Sequence, residues 1–319
     1  MNKWQVLLAL FLILAVPLVA AAEGAVIGVL LTSAGPQDPW LPALHRGLQD
    51  LGYVEGRDIH VEFRSAEGHV NRLPALIEEL LRLKPAAIVV GTEPALRAAR
   101  NATSSIPIVM IAHTYDPVES GLVDTIARPG GNITGISART PELTSKRVEL
   151  LKETIPTLRR LAVIWDSPTQ NQVAELKQPA STLGIELQLI QLHQPYDFKE
   201  AFKTARTKKA DAVIVLTSVA SYGERTRIAA EALESRLPMT GYLHELTRAG
   251  GLISYGPELG DSFYRVGYFI DRLLKGAKPS DLPIEQSAKF RLVVNLSTAK
   301  ALSIKVPEAI LVRADEVLR

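Results

Sequence analysis

The 319-residue chain contains no cysteine. That absence excludes disulfides, thiol nucleophiles, zinc–cysteine sites and attachment of a lipid through an N-terminal cysteine. Net charge is nearly absent as well, with 36 Lys and Arg against 34 Asp and Glu, a balance of +2. A chain so balanced makes no electrostatic case for nucleic acid or for an acidic surface. Aromatic residues are few, at 6%. The histidines (His45, His60, His69, His113, His193 and His244) are dispersed and form no short-spaced ligand pair, so no metal site is expected. No G-x-S-x-G elbow, Walker loop or G-x-G-x-x-G motif is present. The sequence therefore names no catalytic set and no cofactor, and an enzyme is not expected.

What is present begins with the N-terminus. Lys3 precedes an apolar run from Val6 to Val19, followed by Ala20, Ala21 and Ala22. A charged start, an apolar stretch and small residues at the end are the parts of an export signal. The run is short for a membrane span, and Pro17 interrupts it. Residues 1–22 are thus expected to be a signal peptide cleaved near Ala22, and no second long apolar run follows. The mature protein is expected outside the cytoplasm, soluble and not a lipoprotein.

From Ala25 onward, apolar runs alternate with amphipathic ones. AVIGVLL (Ala25–Leu31), AAIVVG (Ala86–Gly91) and IPIVMIA (Ile106–Ala112) are continuous apolar strands of the buried, parallel kind. Between them, Leu41, Leu44, Leu48 and Leu51 recur at helical spacing. The rhythm restarts after residue 140 with LAVIWD, IELQLIQL and DAVIVLT, each followed by a helical pattern. KPAAIVVGTEPAL and KADAVIVLTSVA match in layout: small residue, apolar strand, then Thr. Two α/β lobes follow, each a doubly wound parallel sheet, joined by a multi-crossing hinge. The Gly- and Pro-rich stretch from Asp116 to Gly135 starts at a strand's carboxyl end, where ligands bind in open α/β sheets. Asp116 is expected to cap a helix over GLVDTIAR (121–128), and Pro129-Gly130-Gly131 to turn the chain toward the hinge.

The segments SIPIV, DPVESGLV and ARPGGNITGIS, with nearly the whole chain from AGGLISYGPELGD to the C-terminus, resemble ABC transporter substrate-binding proteins of the tryptophan/tyrosine type. The resemblance implies a type I periplasmic binding protein-like fold, with lobe 1 at 24–137 plus 246–283 and lobe 2 at 138–245 plus 284–319. It implies a small solute, an amino acid and by the subfamily's type an aromatic one, held between the lobes of a monomer and delivered to a membrane permease. Two departures fall at strand ends: Gly91-Thr92-Glu93-Pro94 where Gly-Thr-Pro is usual, and Tyr115-Asp116-Pro117 where Thr-Asp-Pro is usual.

Candidate ligand-binding residues are the polar groups after each strand. In lobe 1 they are Thr32, Ser33, Thr92, Glu93, His113, Tyr115 and Asp116; in lobe 2, Asp166, Thr217, Ser218, His244 and Glu245. Hydroxyls and free N–H groups suit a carboxylate, and acids suit an ammonium; the same residue types also cap helices. Trp40 and Tyr255 add aromatic walls. Branched amino acids, small peptides and purine-like solutes stay open, as does a ligand-sensing protein serving a membrane signalling receptor. An exported hydrolase would need an activated nucleophile, and a repressor would need a DNA-binding domain where the leader stands.

Overall fold

A computed structural model of the chain describes residues 24–33, 38, 40–138, 141–287 and 289–319; the expected signal peptide lies outside these residues. The chain begins β1 (Ala25–Leu31), α1 (Trp40–Gln49), β2 (Ile59–Ser65), α2 (Leu73–Arg82), β3 (Ala87–Val90), α3 (Glu93–Ala102), β4 (Ile108–Ala112) and β5 (Ile133–Ser137). It continues α4 (Pro141–Thr154), β6 (Arg160–Trp165), α5 (Gln170–Thr182), β7 (Glu186–Gln191), α6 (Phe198–Thr207), β8 (Ala212–Val215), α7 (Val219–Gly223), α8 (Arg225–Glu234), β9 (Met239–Gly241), α9 (His244–Arg248) and β10 (Ile253–Gly256). It ends α10 (Leu259–Leu274), β11 (Glu285–Gln286), β12 (Arg291–Asn295), α11 (Leu296–Ala301), α12 (Glu308–Arg313) and β13 (Glu316–Leu318).

The strands form two sheets, ordered β11-β5-β4-β3-β1-β2 and β13-β12-β10-β9-β8-β6-β7. Pairing is parallel throughout except between β10 and β12. Apolar runs such as AIVV in β3 and IVMIA in β4 are buried at every position, because helices cover both faces of each sheet. Each lobe has its own core on each face of its sheet. Phe263, Phe269 and Ile270 of α10 fill one face of the first lobe, and Phe198 and Phe202 of α6 fill one face of the second.

The lobe boundaries differ from the sequence expectation in the tail. Residues 246–256 belong with the second sheet, since β10 pairs with β9 and β12, and the first sheet regains the chain only at α10 and β11. Local polar bonds explain the difference. Thr240 Oγ1 donates to the Ile253 carbonyl at 2.8 Å, and His244 bonds Ser254 Oγ and the Gly256 carbonyl at 3.0 Å each. These bonds hold β10 beside β9, and Ile253 completes the second-lobe core. The chain therefore passes between lobes between β5 and α4, β10 and α10, and β11 and β12. Charged pairs flank the last two passages: Arg291 of β12 reaches Asp261 of α10 across the lobes at 3.2 Å, while Arg265 of α10 holds Glu285 of β11 within the first lobe at 2.6 Å. They are largely exposed and worth at most about 1 kcal/mol each.

A second expectation also changes. Residues 121–128 form no helix but a chain of turns. Asp116 Oδ1 does accept the N–H groups of Val118 and Glu119, at 2.8 and 3.0 Å. The next turn is taken instead by Thr125, whose Oγ1 bonds both the N–H and the carbonyl of Arg128. Short polar side chains that satisfy nearby backbone groups compete directly with the helix. Leu122 and Val123 then tuck into the first-lobe core from this loop.

Candidate functional site

The carboxyl ends of both sheets face one another across a cavity of about 500 Å³. Its first-lobe wall is built from residues after β1, β3 and β4, joined by Leu259 and Phe263 of α10. Its second-lobe wall comes from residues after β6, β7, β8 and β9. This is where an α/β sheet leaves backbone ends and loops free to meet a ligand.

Five aromatic rings line it: Trp40, Tyr115, Tyr196, Tyr222 and Phe263. Trp40 and Phe263 are stacked, with centroids 5.5 Å apart and planes 13° apart, while Trp40 and Tyr222 meet at 4.9 Å across the cleft. A chain with few aromatics has concentrated them here. Trp165, by contrast, packs on the second-lobe core and does not reach the cavity.

Among the polar lining groups, most are already committed. Thr32 Oγ1 and Thr92 Oγ1 hydrogen-bond each other, tying the ends of β1 and β3. Thr92 also caps α3, and Ser218 exchanges bonds with Ser221 to cap α7. His113 Nε2 sits 2.9 Å from Ser262 Oγ, and burial pushes its pKa down to about 3, so the ring is neutral. Glu93 receives Arg97 Nε and Nη2 at 2.9 and 2.7 Å, and Arg97 Nη2 also donates to the Ser120 carbonyl.

Asp166 is different. Its residue is 5% exposed, and its Oδ1 is buried with no hydrogen-bond partner. Its backbone N–H donates to Thr169 Oγ1 at 3.0 Å, which fixes the turn that aims the side chain. Among the described lining residues Glu93 and Arg97 offset each other, which leaves Asp166 as the carboxylate without a paired cation. A buried carboxylate in that state calls for a cationic hydrogen-bond donor.

Of the residues expected from sequence, the cavity gathers Thr32, Ser33, Trp40, Thr92, Glu93, His113, Tyr115, Asp166, Thr217 and Ser218. Four expected residues are placed elsewhere. Asp116 spends its carboxylate on its own turn. His244 bonds β10, as described above. Tyr255 packs on Phe290 at 6.2 Å, on the chain passage beside β10. Glu245 is half-buried and lies outside the cavity. The cavity also takes Tyr222, an aromatic that falls near a strand end in the sequence, and Arg97, Gln172, Gln194, Tyr196 and Phe263, which the strand-end reading did not name. Arg97, Gln172 and Phe263 lie within helices, one turn or more from a strand end, and only an amphipathic face pointing at the cleft marks them.

Burial raises the Glu245 carboxyl above the ordinary range, with Glu258 adding to the rise and Arg248 opposing it. The folded chain thus holds that proton more tightly than the unfolded chain does. Stability contributed by Glu245 protonation is present near and below the unfolded carboxylate pKa of about 4.3 and is lost as pH rises through the raised value. Glu245→Gln is expected to melt higher than the parent at pH 7 and to converge with it as pH falls toward 4. Melting curves across that range check this.

Residues 38–318 match the family model described as ABC transporter substrate binding protein. The chain is 27% identical over 263 residues to the tyrosine-binding protein of Clostridioides difficile (strain R20291), spanning 82% of this chain and 75% of that one. Among solved structures it is similar to an ABC domain in complex with L-Trp from Streptococcus pneumonia, at 27% identity and TM-score 0.84, covering 93% of this chain and all of that one. It is equally similar to a conserved domain protein from Vibrio cholerae, at 26% identity and TM-score 0.85, covering 92% and 100%. Two α/β lobes with parallel sheets and a cleft between them make the fold that of a type I periplasmic binding protein. The chain belongs to the ABC transporter substrate-binding proteins, a family that binds its solutes rather than transforming them.

Proposed function

We propose that this protein is the extracytoplasmic solute-binding component of an ABC uptake system and that its solute is an aromatic amino acid. The observation that carries the reading is Asp166, a buried carboxylate in the lining of an aromatic-walled cavity with one oxygen that has no hydrogen-bond partner. Asp166 takes the ammonium. The rings of Trp40, Tyr115, Tyr196, Tyr222 and Phe263 take the flat side chain. Arg97 supplies the carboxylate partner, since its guanidinium has five N–H groups and three contacts to Glu93 and Ser120 leave donor capacity. The tyrosine-binding and L-Trp-bound relatives support the same solute class. The leader is removed near Ala22, the mature chain works as a monomer, and the closed form is handed to a membrane permease. Closure needs only that the solute prefer the closed form to the open one.

Titration calorimetry with L-tyrosine, L-tryptophan, L-leucine and N-acetyl-L-tryptophan tests this. The aromatic L-amino acids bind; the acetylated compound, lacking a cation, binds at least 100-fold more weakly. At a hundredfold excess over the dissociation constant, a true solute stabilises the protein by ~2.7 kcal/mol. Equal binding of the acetylated compound, or preference for leucine, contradicts the assignment.

A further inference from the structure

Beside the cavity, but not lining it, the lobes touch through charged side chains. Asp38 stands just before α1 in the first lobe; Tyr222 and Arg225 belong to α7 and α8 of the second. Tyr222 Oη donates to Asp38 Oδ1 at 3.0 Å, and Arg225 Nη2 donates to the same oxygen at 3.3 Å. The Arg225 guanidinium lies over the Tyr222 ring, 4.4 Å from its centroid, and its Nη1 donates to the Tyr222 carbonyl at 3.0 Å. The side chains are sheltered, at 13% exposure for Asp38 and 30% for Arg225. Tyr222 thus has a ring facing the cavity and a hydroxyl facing away from it, fixed on the opposite lobe.

We propose that Asp38, Tyr222 and Arg225 form a clasp across the cleft, and that this clasp sets solute affinity without Asp38 or Arg225 touching the solute. The inference rests on the reading that the protein binds by closing. Asp38 is separated from Tyr222 and Arg225 by some 185 residues and lies in the other lobe, so opening the lobes breaks these two contacts at once. A contact made only in the closed form raises the fraction of molecules that are closed. Observed affinity rises in proportion to that fraction, while the solute's own contacts stay the same. The gain is moderate, because on opening the carboxylate and guanidinium regain water. It appears chiefly as slower release, since the clasp must open before the solute leaves. Arg225 stacked on the ring also holds Tyr222 against Trp40, so the clasp orients one wall of the cavity.

The test compares Asp38→Asn, Asp38→Arg, Arg225→Asp and the exchanged pair Asp38→Arg/Arg225→Asp. L-tryptophan affinity and release rate are read by calorimetry and stopped-flow fluorescence. The radius of gyration without added amino acid is read by small-angle X-ray scattering. Each charge reversal is expected to weaken binding about tenfold, mostly through faster release, and to expand the ligand-free protein. Asp38→Asn, which keeps the shape, gives a smaller change in the same direction. The exchanged pair recovers at least half of the loss on a logarithmic scale. Unchanged affinity and size in the single variants, or losses that simply add in the exchanged pair, overturn the clasp. Should L-tryptophan fail to bind the parent protein, the solute assignment fails alone, and the scattering comparison still decides the clasp.

Discussion

Asp166→Asn is expected to weaken capture of an aromatic amino acid by about 30- to 150-fold, roughly 2–3 kcal/mol for a buried charge-assisted contact. The replacement keeps the size and planarity of the side chain, so the cavity keeps its shape. What it removes is the one charge among the described lining residues that has no counterpart. The carboxylate is almost wholly buried and its Oδ1 has no partner, an arrangement that costs stability in the empty protein. The variant should therefore melt at the same temperature as the parent, or higher, when no amino acid is present. That pairing of weaker binding with undiminished stability separates loss of a ligand contact from damage to the fold. Calorimetric titration and melting curves on the same preparation measure both. A drop in ligand-free melting temperature together with retained affinity would mean that Asp166 serves the fold instead.

The second large effect is structural. Helices α1 and α10 cross in the first lobe at Gly47 and Gly267, where a Cβ on Gly47 would collide with the Tyr264 carbonyl and one on Gly267 would meet the Gly47 backbone at 2.7 Å. Backbone on backbone cannot yield by rotamer change. Gly47→Val must push the helices apart, at a cost of about 3 kcal/mol or more, which for a protein of this size lowers the melting temperature by about 5 °C or more. Trp40 begins α1 and Phe263 lies on α10, so the same displacement separates two stacked rings of the cavity. Solute binding falls along with stability. Gly260, at the start of α10, is the internal control: an added Cβ meets nothing within 4 Å. Gly260→Ala gains helix propensity and is expected to stabilise by up to about 1 kcal/mol. Equal melting of Gly47→Val and the parent would remove the close crossing from the account.

The alternation of strand and helix was legible because each buried strand is an uninterrupted apolar run with turn residues at both ends. The cavity's first-lobe floor was legible for a related reason: residues directly after a parallel strand, such as Thr32, Thr92 and His113, have few places to point. The helix expected over 121–128 failed because Thr125 and Asp116 bond to nearby backbone, and helical periodicity does not register that competition. The sheet membership of Ile253–Gly256 was equally hidden, since an apolar strand reads alike in either sheet. Its neighbour was chosen by Thr240 and His244, whose partners lie 10 to 13 residues away. His244 and Glu245 carried the same strand-end signature as Asp166, yet one binds β10 and the other lies half-buried off the cavity. Only the placement of α9 decides which strand-end polar group faces the cavity.

The central claim is that the two lobes close on an unmodified aromatic amino acid held between Asp166 and the rings around Trp40. Native mass spectrometry of the gently purified protein, followed by release and identification of whatever it carries, measures this most directly. The account predicts a complex of one protein to one aromatic L-amino acid, recovered chemically intact and lost in Asp166→Asn. A co-purifying solute with no cationic group, or one recovered in altered form, would contradict it.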